Sequence, residues 1–360
     1  MNAKTEDKVL AELASLYERR GYMRYRPGCF EDYSLYLDNI DFLISKNVIT
    51  FSGAEGRLLA LRPDITLSLI SHMQCDGQTR KLFYTEKVYR RADGVGEFRD
   101  INQTGVEVVG DIDRACETEV AQLILDTLSM VSRNCMLDIS HMGYTEGMMA
   151  ALNIPDDKKQ FVYACLRGKN VHDFMRLKNL CGLDESAVST FAGIAEIGGD
   201  AASAILKVKQ CVLNQEMAAA ADELEQLIFS LSETGYKDNI AINFSIANNA
   251  DYYNGLIFNG YVDGVPKRVL SGGRYDKLLQ KLGKTGGAIG FALYLGELER
   301  FFKPVGNAVD VLILYDDDSM LEALKSSKRM ADGGGAVRIS RTVPDDIGYG
   351  KIVDMRSKLK

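Results

Sequence analysis

Segments 48–52, 57–62, 81–89 and 102–110 are rich in Val, Leu, Tyr and Thr, and only turn-like residues separate them, among them Gly53, Gly56, Gly77, Gly94 and Gly96. Strands crowded together in this way leave no room for parallel crossovers, which need a dozen or more connecting residues. The spacing therefore predicts an antiparallel sheet in an α+β architecture. Helical periodicity flanks the region. Val9, Leu10, Leu13, Leu16 and Tyr17 recur at helical spacing before Gly21, and residues 113–132 repeat the pattern. Between them, a short strand over 22–26 runs into Pro27, which cannot donate to a ladder and marks a strand end.

Beyond a strand at 135–141 the pattern changes. From about 145 to 234, Ala, Leu, Met, Glu and Lys dominate, and 215–232 (EMAAAADELEQLIFSLSE) is a clear helical run, so a helical insertion is expected. Strand character returns at 240–246, 255–262, 266–271 and 287–294, with a helix around 295–302. Pro304 and Gly306 read as a linker. The remainder offers a strand at 309–315, a helix near 319–331, and a strand at 336–339. The domain reading is a body over 1–303 and a short α/β segment over 304–360.

Composition narrows the function. Lys+Arg 43 against Asp+Glu 50 gives 43 − 50 = −7, so no global basic field steers the chain to nucleic acid. Three histidines, His72, His141 and His172, make a histidine-rich metal site improbable, and no metal or cofactor is expected. Seven cysteines stand at 29, 75, 116, 135, 165, 181 and 211 with no CxxC pair, which predicts free thiols. The charged N-terminus lacks a signal-peptide core, and no stretch approaches eighteen uninterrupted apolar residues. The expectation is a soluble cytoplasmic protein with no membrane partner.

Two small motifs carry no function. Gly333-Gly334-Gly335 follows a helix and lacks the phosphate-loop spacing, so it reads as a turn. Asp316-Asp317-Asp318 reads as a charge cluster at a helix N-terminus, because three consecutive carboxylates cannot face one point.

Three blocks are more specific. In Leu61-Arg62-Pro63-Asp64-Ile65-Thr66, an extended segment puts Asp64 and Thr66 on one face, which suits an ammonium group. In the second block, Tyr89-Arg90-Arg91 leads through a glycine-containing loop to Phe98-Arg99, and Gln103, Gly105 and Glu107 alternate onto one face. The third is Asp251-Tyr252-Tyr253-Asn254-Gly255, followed by Ser271-Gly272-Gly273-Arg274-Tyr275-Asp276, whose paired glycines let backbone approach a ligand. Each block alone reads equally well as strand-turn-strand with polar surface residues. Their order together points to a site.

In that order the blocks resemble the class II aminoacyl-tRNA synthetase fold, and within it the histidyl-tRNA synthetase group, over roughly residues 5–303. The resemblance implies a homodimer through the first helix and strand. It also implies a pocket for histidine or a similar amino acid lined by Asp64, Thr66, Gln103, Glu107, Tyr252 and Tyr253, with Arg274 and Tyr275 nearby. Acids there neutralise the ammonium and tyrosines enclose the imidazole.

The sequence departs from the synthetase pattern where ATP chemistry is done. Ala92 stands at the glutamate of Phe-Arg-x-Glu, and Asn248 at the arginine of Arg-Gly-Leu-Asp-Tyr-Tyr. After Gly290-Phe291-Ala292, Tyr294 stands at the glycine and Glu297 at the arginine of the third motif. Arg90 and Arg99 remain of the second motif. Amino-acid activation needs preorganised cations at the α-phosphate, and each one lost costs several kcal/mol of transition-state stabilisation. Only some fifty-five residues remain where a synthetase carries an anticodon-binding domain of about a hundred. A body that keeps the pocket without this chemistry is similar to the regulatory subunits of ATP phosphoribosyltransferase. That resemblance implies a non-catalytic partner of the short catalytic subunit, within a larger hetero-oligomer, that mediates feedback by histidine. The alternative is a divergent histidyl-tRNA synthetase or related ligase.

Overall fold

The computed structural model describes residues 6–43, 47–74, 76–91, 98–246, 252–302, 309–344 and 348–356. Helix α1 (Glu6–Arg19) buries Val9, Leu13 and Tyr17, with Leu10 and Leu16 half-buried, so the apolar stripe read from the sequence is the packed one. It ends before Gly21, whose φ of +83° is left-handed and suits glycine. Strand β1 (Met23–Arg24) follows. Then β2 (Phe30–Asp32), α2 (Tyr33–Asp38), β3 (Thr50–Ser52) and β4 (Leu58–Leu61) appear in turn. Strands β2, β4 and β3 form a small antiparallel sheet of their own, so segments 48–52 and 57–62 do not join the main one.

Helix α3 (Ile65–His72) corrects the reading of residues 61–66 as wholly extended. Asp64 has extended backbone, but its carboxylate accepts from the Leu67 amide at 2.8 Å and starts a helix. Asp is among the best residues for that position. The longest hairpin is β5 (Arg80–Arg91) with β6 (Phe98–Gly110), followed by α4 (Arg114–Val131) and β7 (Cys135–His141).

The stretch expected to be a helical insertion holds α5 (Met142–Ala151), α6 (Lys159–Gly168), α7 (Val171–Cys181), α8 (Glu185–Glu196), the three-residue strand β8 (Gly198–Asp200), α9 (Ala201–Gln210) and α10 (Gln215–Leu231). Strand β9 (Ile240–Asn243) is shorter than the expected 240–246, because the Asn243 carboxamide accepts from Ser245 N and Oγ and bends the chain into a 3-10 turn. Next come β10 (Leu256–Val262), β11 (Leu270–Arg274), α11 (Asp276–Lys281) and β12 (Gly287–Tyr294). β11 begins four residues later than the sequence suggested, after a turn around Pro266. The expected helix at 295–302 is a 3-10 helix over Leu295–Phe301.

The main sheet has nine strands in the order β1-β5-β6-β12-β11-β10-β7-β9-β8. It is antiparallel except where β1 runs parallel to β5 and β7 to β9. Helices α1 and α4 pack on one face. There Tyr17 stands against Phe83 and Phe291 and bonds the Thr127 hydroxyl at 3.1 Å. The opposite face is covered by a core that joins α3 and α11 to Phe42, Tyr84 and Tyr275.

Contacts divide the chain into two compact units, one spanning Asp7–Glu299 and the other built on the residues from Arg300 onward. The second holds β13 (Val309–Leu314), α12 (Met320–Asp332), β14 (Val337–Ser340) and β15 (Tyr349–Asp354) in a parallel sheet ordered β14-β13-β15. Strand β15 is mostly exposed, and so lacked the buried alternation that marks a strand in sequence. Gly334, at φ +86°, makes the expected turn after α12, and Asp316 holds the Ser319 amide at 2.9 Å just before that helix.

Candidate functional site

Register sets the site's floor. Successive strand residues face opposite sides of a sheet, so one row on the covered face reads Gly105 of β6, Ala292 of β12, Ser271 of β11 and Asn259 of β10. The adjoining row reads Glu107, Gly290, Gly273 and Ile257, and on the other side Gln103 pairs with Tyr294. Small residues fill the middle of both rows, which leaves a hollow between larger side chains. The hollow has a cavity volume of about 90 Å³ and opens on one side. A Cβ on Gly290 would stand 1.8 Å from the Glu107 carboxylate, so glycine there is what gives that carboxylate its place.

Glu107 is buried and held from two sides. Thr66 Oγ1 donates to its Oε1 at 2.6 Å, and Tyr275 OH donates to its Oε2 at 2.5 Å. Loss of water pushes its pKa up to about 8, against the lowering effect of those two hydroxyls, and the nearby Asp64 adds to the rise. Asp64 is also raised by burial, but Arg90, 3.9 Å away, and the amides of α3 offset part of that. One acid of the pocket thus has a cation beside it, and the other keeps its proton near neutrality.

Aromatic rings close the pocket. Tyr252 stands edge-on to Tyr253 at 4.7 Å, and lies 5.4 Å from Tyr275 and 5.9 Å from Phe42. Burial raises the hydroxyl pKa values of Tyr252, Tyr253 and Tyr275, so all three stay neutral donors. Gln103 Nε2 donates to Tyr84 OH at 3.1 Å, while its buried Oε1 finds no hydrogen-bond partner among the described residues. A buried acceptor left open is rare unless a ligand or water completes it.

Seven of the eight residues expected at the pocket meet there: Asp64, Thr66, Gln103, Glu107, Tyr252, Tyr253 and Tyr275. Arg274 does not. It alternates onto the opposite face of β11 from Ser271 and Gly273, and ion-pairs with Glu117 of α4 at 2.9 Å and Asp276 at 2.9 Å.

The two remaining motif-2 arginines part company. Arg90 is buried and donates to Pro63 O at 2.7 Å, whereas Arg99, opposite it in the hairpin, is exposed and off the pocket. Arg62, also buried, donates to the carbonyls of Pro27, Gly28 and Lys87 at 2.9, 2.5 and 2.8 Å. It fastens the entry to α3 onto β5. Tyr294 lies on the pocket face and shares a 2.6 Å hydrogen bond with Ser271, and Glu297 accepts from Lys267 at 3.5 Å. Ala92, Asn248 and Asp251 lie outside the described residues.

Phe42, Asn259 and Arg268 also line the pocket, and sequence reasoning did not single them out. Asn259 was within reach, since β10 alternates; Phe42 closes a 3-10 turn, and Arg268 falls in the expected strand 266–271 but precedes β11 in the structure. Among the described residues no cluster of His, Cys, Asp or Glu could hold a metal ion, and no helix is long and apolar enough to cross a membrane.

A largely antiparallel sheet flanked by helices in this way is the architecture of the class II synthetase-like proteins. The sequence model of histidyl-tRNA synthetase matches residues 1–298, and the chain belongs to that family. It is also a homologue of ATP phosphoribosyltransferase regulatory subunits. The protein of that name from Oceanobacillus iheyensis is 25% identical over 342 residues, covering 93% of this chain and 84% of that one. A Bacillus halodurans structure described as an ATP phosphoribosyltransferase regulatory subunit/histidyl-tRNA synthetase superposes with a TM-score of 0.83 at 21% identity, covering 98% of this chain and 94% of that one. A chain of the ATP phosphoribosyl transferase (HisG:HisZ) complex from Thermotoga maritima gives a TM-score of 0.64 at 19% identity, covering 80% of this chain and 96% of that one.

Proposed function

We propose that this chain is a non-catalytic regulatory subunit of ATP phosphoribosyltransferase, acting at the first step of histidine biosynthesis. It activates the short catalytic subunit and carries the inhibitory signal of histidine. The observation that bears most weight is the Glu107 carboxyl, buried between Thr66 and Tyr275 and holding a proton to about pH 8. A cationic group entering beside it favours the ionised form, so binding and proton release are linked. The open Gln103 acceptor and Asp64 suit an ammonium, and the ring cage of Tyr252 and Tyr253 suits an imidazole.

The departures from the synthetase pattern support a sensor over a ligase. Glu297, at the position of the third-motif arginine, faces Lys267. Tyr294, at the position of the glycine, points its ring to the pocket. Similarity to a chain of the Thermotoga maritima complex supports assembly with a catalytic subunit. In this reading a homodimer sits within a larger hetero-oligomer in the cytoplasm. Differential histidine binding between assembly states of about 1–3 kcal/mol suffices for feedback.

The test is to titrate the chain into the short catalytic subunit, follow phosphoribosyl transfer, and then titrate histidine. A rate that rises on mixing and falls with histidine is expected. An unchanged rate with no complex formed rejects the proposal. The match to a synthetase family and the retained Arg90 favour a second reading as a divergent ligase. Robust histidine-dependent pyrophosphate exchange with ATP is the result that selects it.

A further inference from the structure

The pocket is electrically polarised, and its positive end belongs to a residue outside every motif. Arg268 lies between β10 and β11, next to Val269, whose amide donates to Gly260 O at 2.9 Å and whose carbonyl accepts from the Tyr294 amide at 2.8 Å. Those two bonds fix the backbone from which the guanidinium departs. Arg268 is half-buried and is the one cation among the described residues that line the pocket. It stands at the Tyr294 end. Glu107 stands two rows of the sheet away, about 13 Å along the strands. Arg268 and Glu107 line the same hollow.

The other arginines near this face are occupied. Arg62 is held by three carbonyls, and Arg90 by Pro63 O, with its buried Nη2 3.9 Å from Asp64 and without a hydrogen bond among the described residues; Arg274, on the opposite face, is held by Glu117 and Asp276. Lys267, next in the chain, faces Glu297. Arg268 forms no hydrogen bond or ion pair with any described residue, and both pocket acids are engaged elsewhere. A half-buried guanidinium on this hollow lacks, among the described residues, the counter-charge that such a group ordinarily keeps.

We propose that Arg268 anchors the carboxylate of the amino acid bound in this pocket, and so selects an α-amino acid over the amine that lacks the carboxylate. The proposal rests on the amino-acid pocket argued above. Two-point charge recognition then fixes orientation: ring toward Glu107 and the tyrosines, ammonium toward Asp64 and the Gln103 acceptor, carboxylate toward Arg268. Arginine suits the task because its planar fork pairs with both carboxylate oxygens.

The experiment is calorimetric titration of the full chain with L-histidine and with histamine, comparing wild type, Arg268→Gln, Arg268→Lys and Glu107→Gln. Wild type is expected to prefer histidine by about ten- to a hundredfold, the worth of a charged hydrogen-bonded pair. Arg268→Gln loses that preference by weakening histidine alone, and Arg268→Lys restores part of it. Glu107→Gln weakens both ligands. If Arg268→Gln weakens histamine as much as histidine, or leaves histidine unchanged, the anchor is rejected while the pocket stands. Equal wild-type affinities for the two ligands reject it in the same way. Wild type binding neither ligand rejects the pocket and the anchor together. Thermal unfolding of each variant identifies any loss of affinity that is a loss of fold.

Discussion

Glu107 shows how one residue's surroundings decide its chemistry. In an unfolded chain its carboxyl titrates near the ordinary glutamate value, and in the pocket it titrates near 8. Between those values the folded state holds a proton that the unfolded state has released, so stability falls as pH rises through this window. Below it the group is neutral in both states and costs nothing. Glu107→Gln removes the dependence. Urea unfolding of the two proteins is expected to coincide near pH 4 and to separate increasingly up to pH 9, with the variant the more stable. Equal stability at pH 9 contradicts a protonated Glu107. The type and alternation of this residue were visible in sequence, and so was its company with Gln103. Its pairing with Thr66 and Tyr275 was not, because those contacts cross 41 and 168 residues of chain.

Elements explain where reading by alternation succeeded and failed. It held along β6, where Gln103 and Glu107 reach the pocket together. At Asp64 it reached the right outcome by the wrong geometry: a helix start, not an extended run, turns Asp64 and Thr66 toward the pocket. The cap and charge roles of Asp64 separate by substitution. Asp64→Asn is expected to keep the thermal stability and lose histidine affinity, while Asp64→Ala costs a further ~1 kcal/mol from the lost cap. Thermal melts beside calorimetry check both. At Arg274 the motif outweighed the period, since alternation alone puts it on the α4 face with Glu117. Arg274→Met leaves the Glu117 carboxylate buried without its cation, and is expected to cost about 2 kcal/mol of stability with histidine affinity unchanged. A large loss of affinity in a folded Arg274→Met protein contradicts the placement.

The whole molecule divides what sequence could and could not reveal in the same way. The α+β class, the long β5–β6 hairpin and the helices after β7 were legible because local spacing and periodicity encode them. The separate β2-β4-β3 sheet and the parallel pairing of β1 with β5 were not, because strand partners are chosen in three dimensions. The net charge of −7 belongs to this scale too. Filter binding at physiological salt is expected to show no retention of tRNA, and salt-sensitive retention would favour the ligase reading.

The hollow over Gly105, Ala292 and Ser271 exists because the strands there carry almost no side chains. It can therefore be abolished by addition, without removing any contact. A larger apolar residue at 292 grows into the space while every ladder bond of β12 stays in place. On the proposed function, such a protein would keep its surface for a partner but have no room for an effector. Assembly and sensing, which any deletion would damage together, could then be inherited separately, and a regulator could lose its responsiveness in one step without losing its place in the complex.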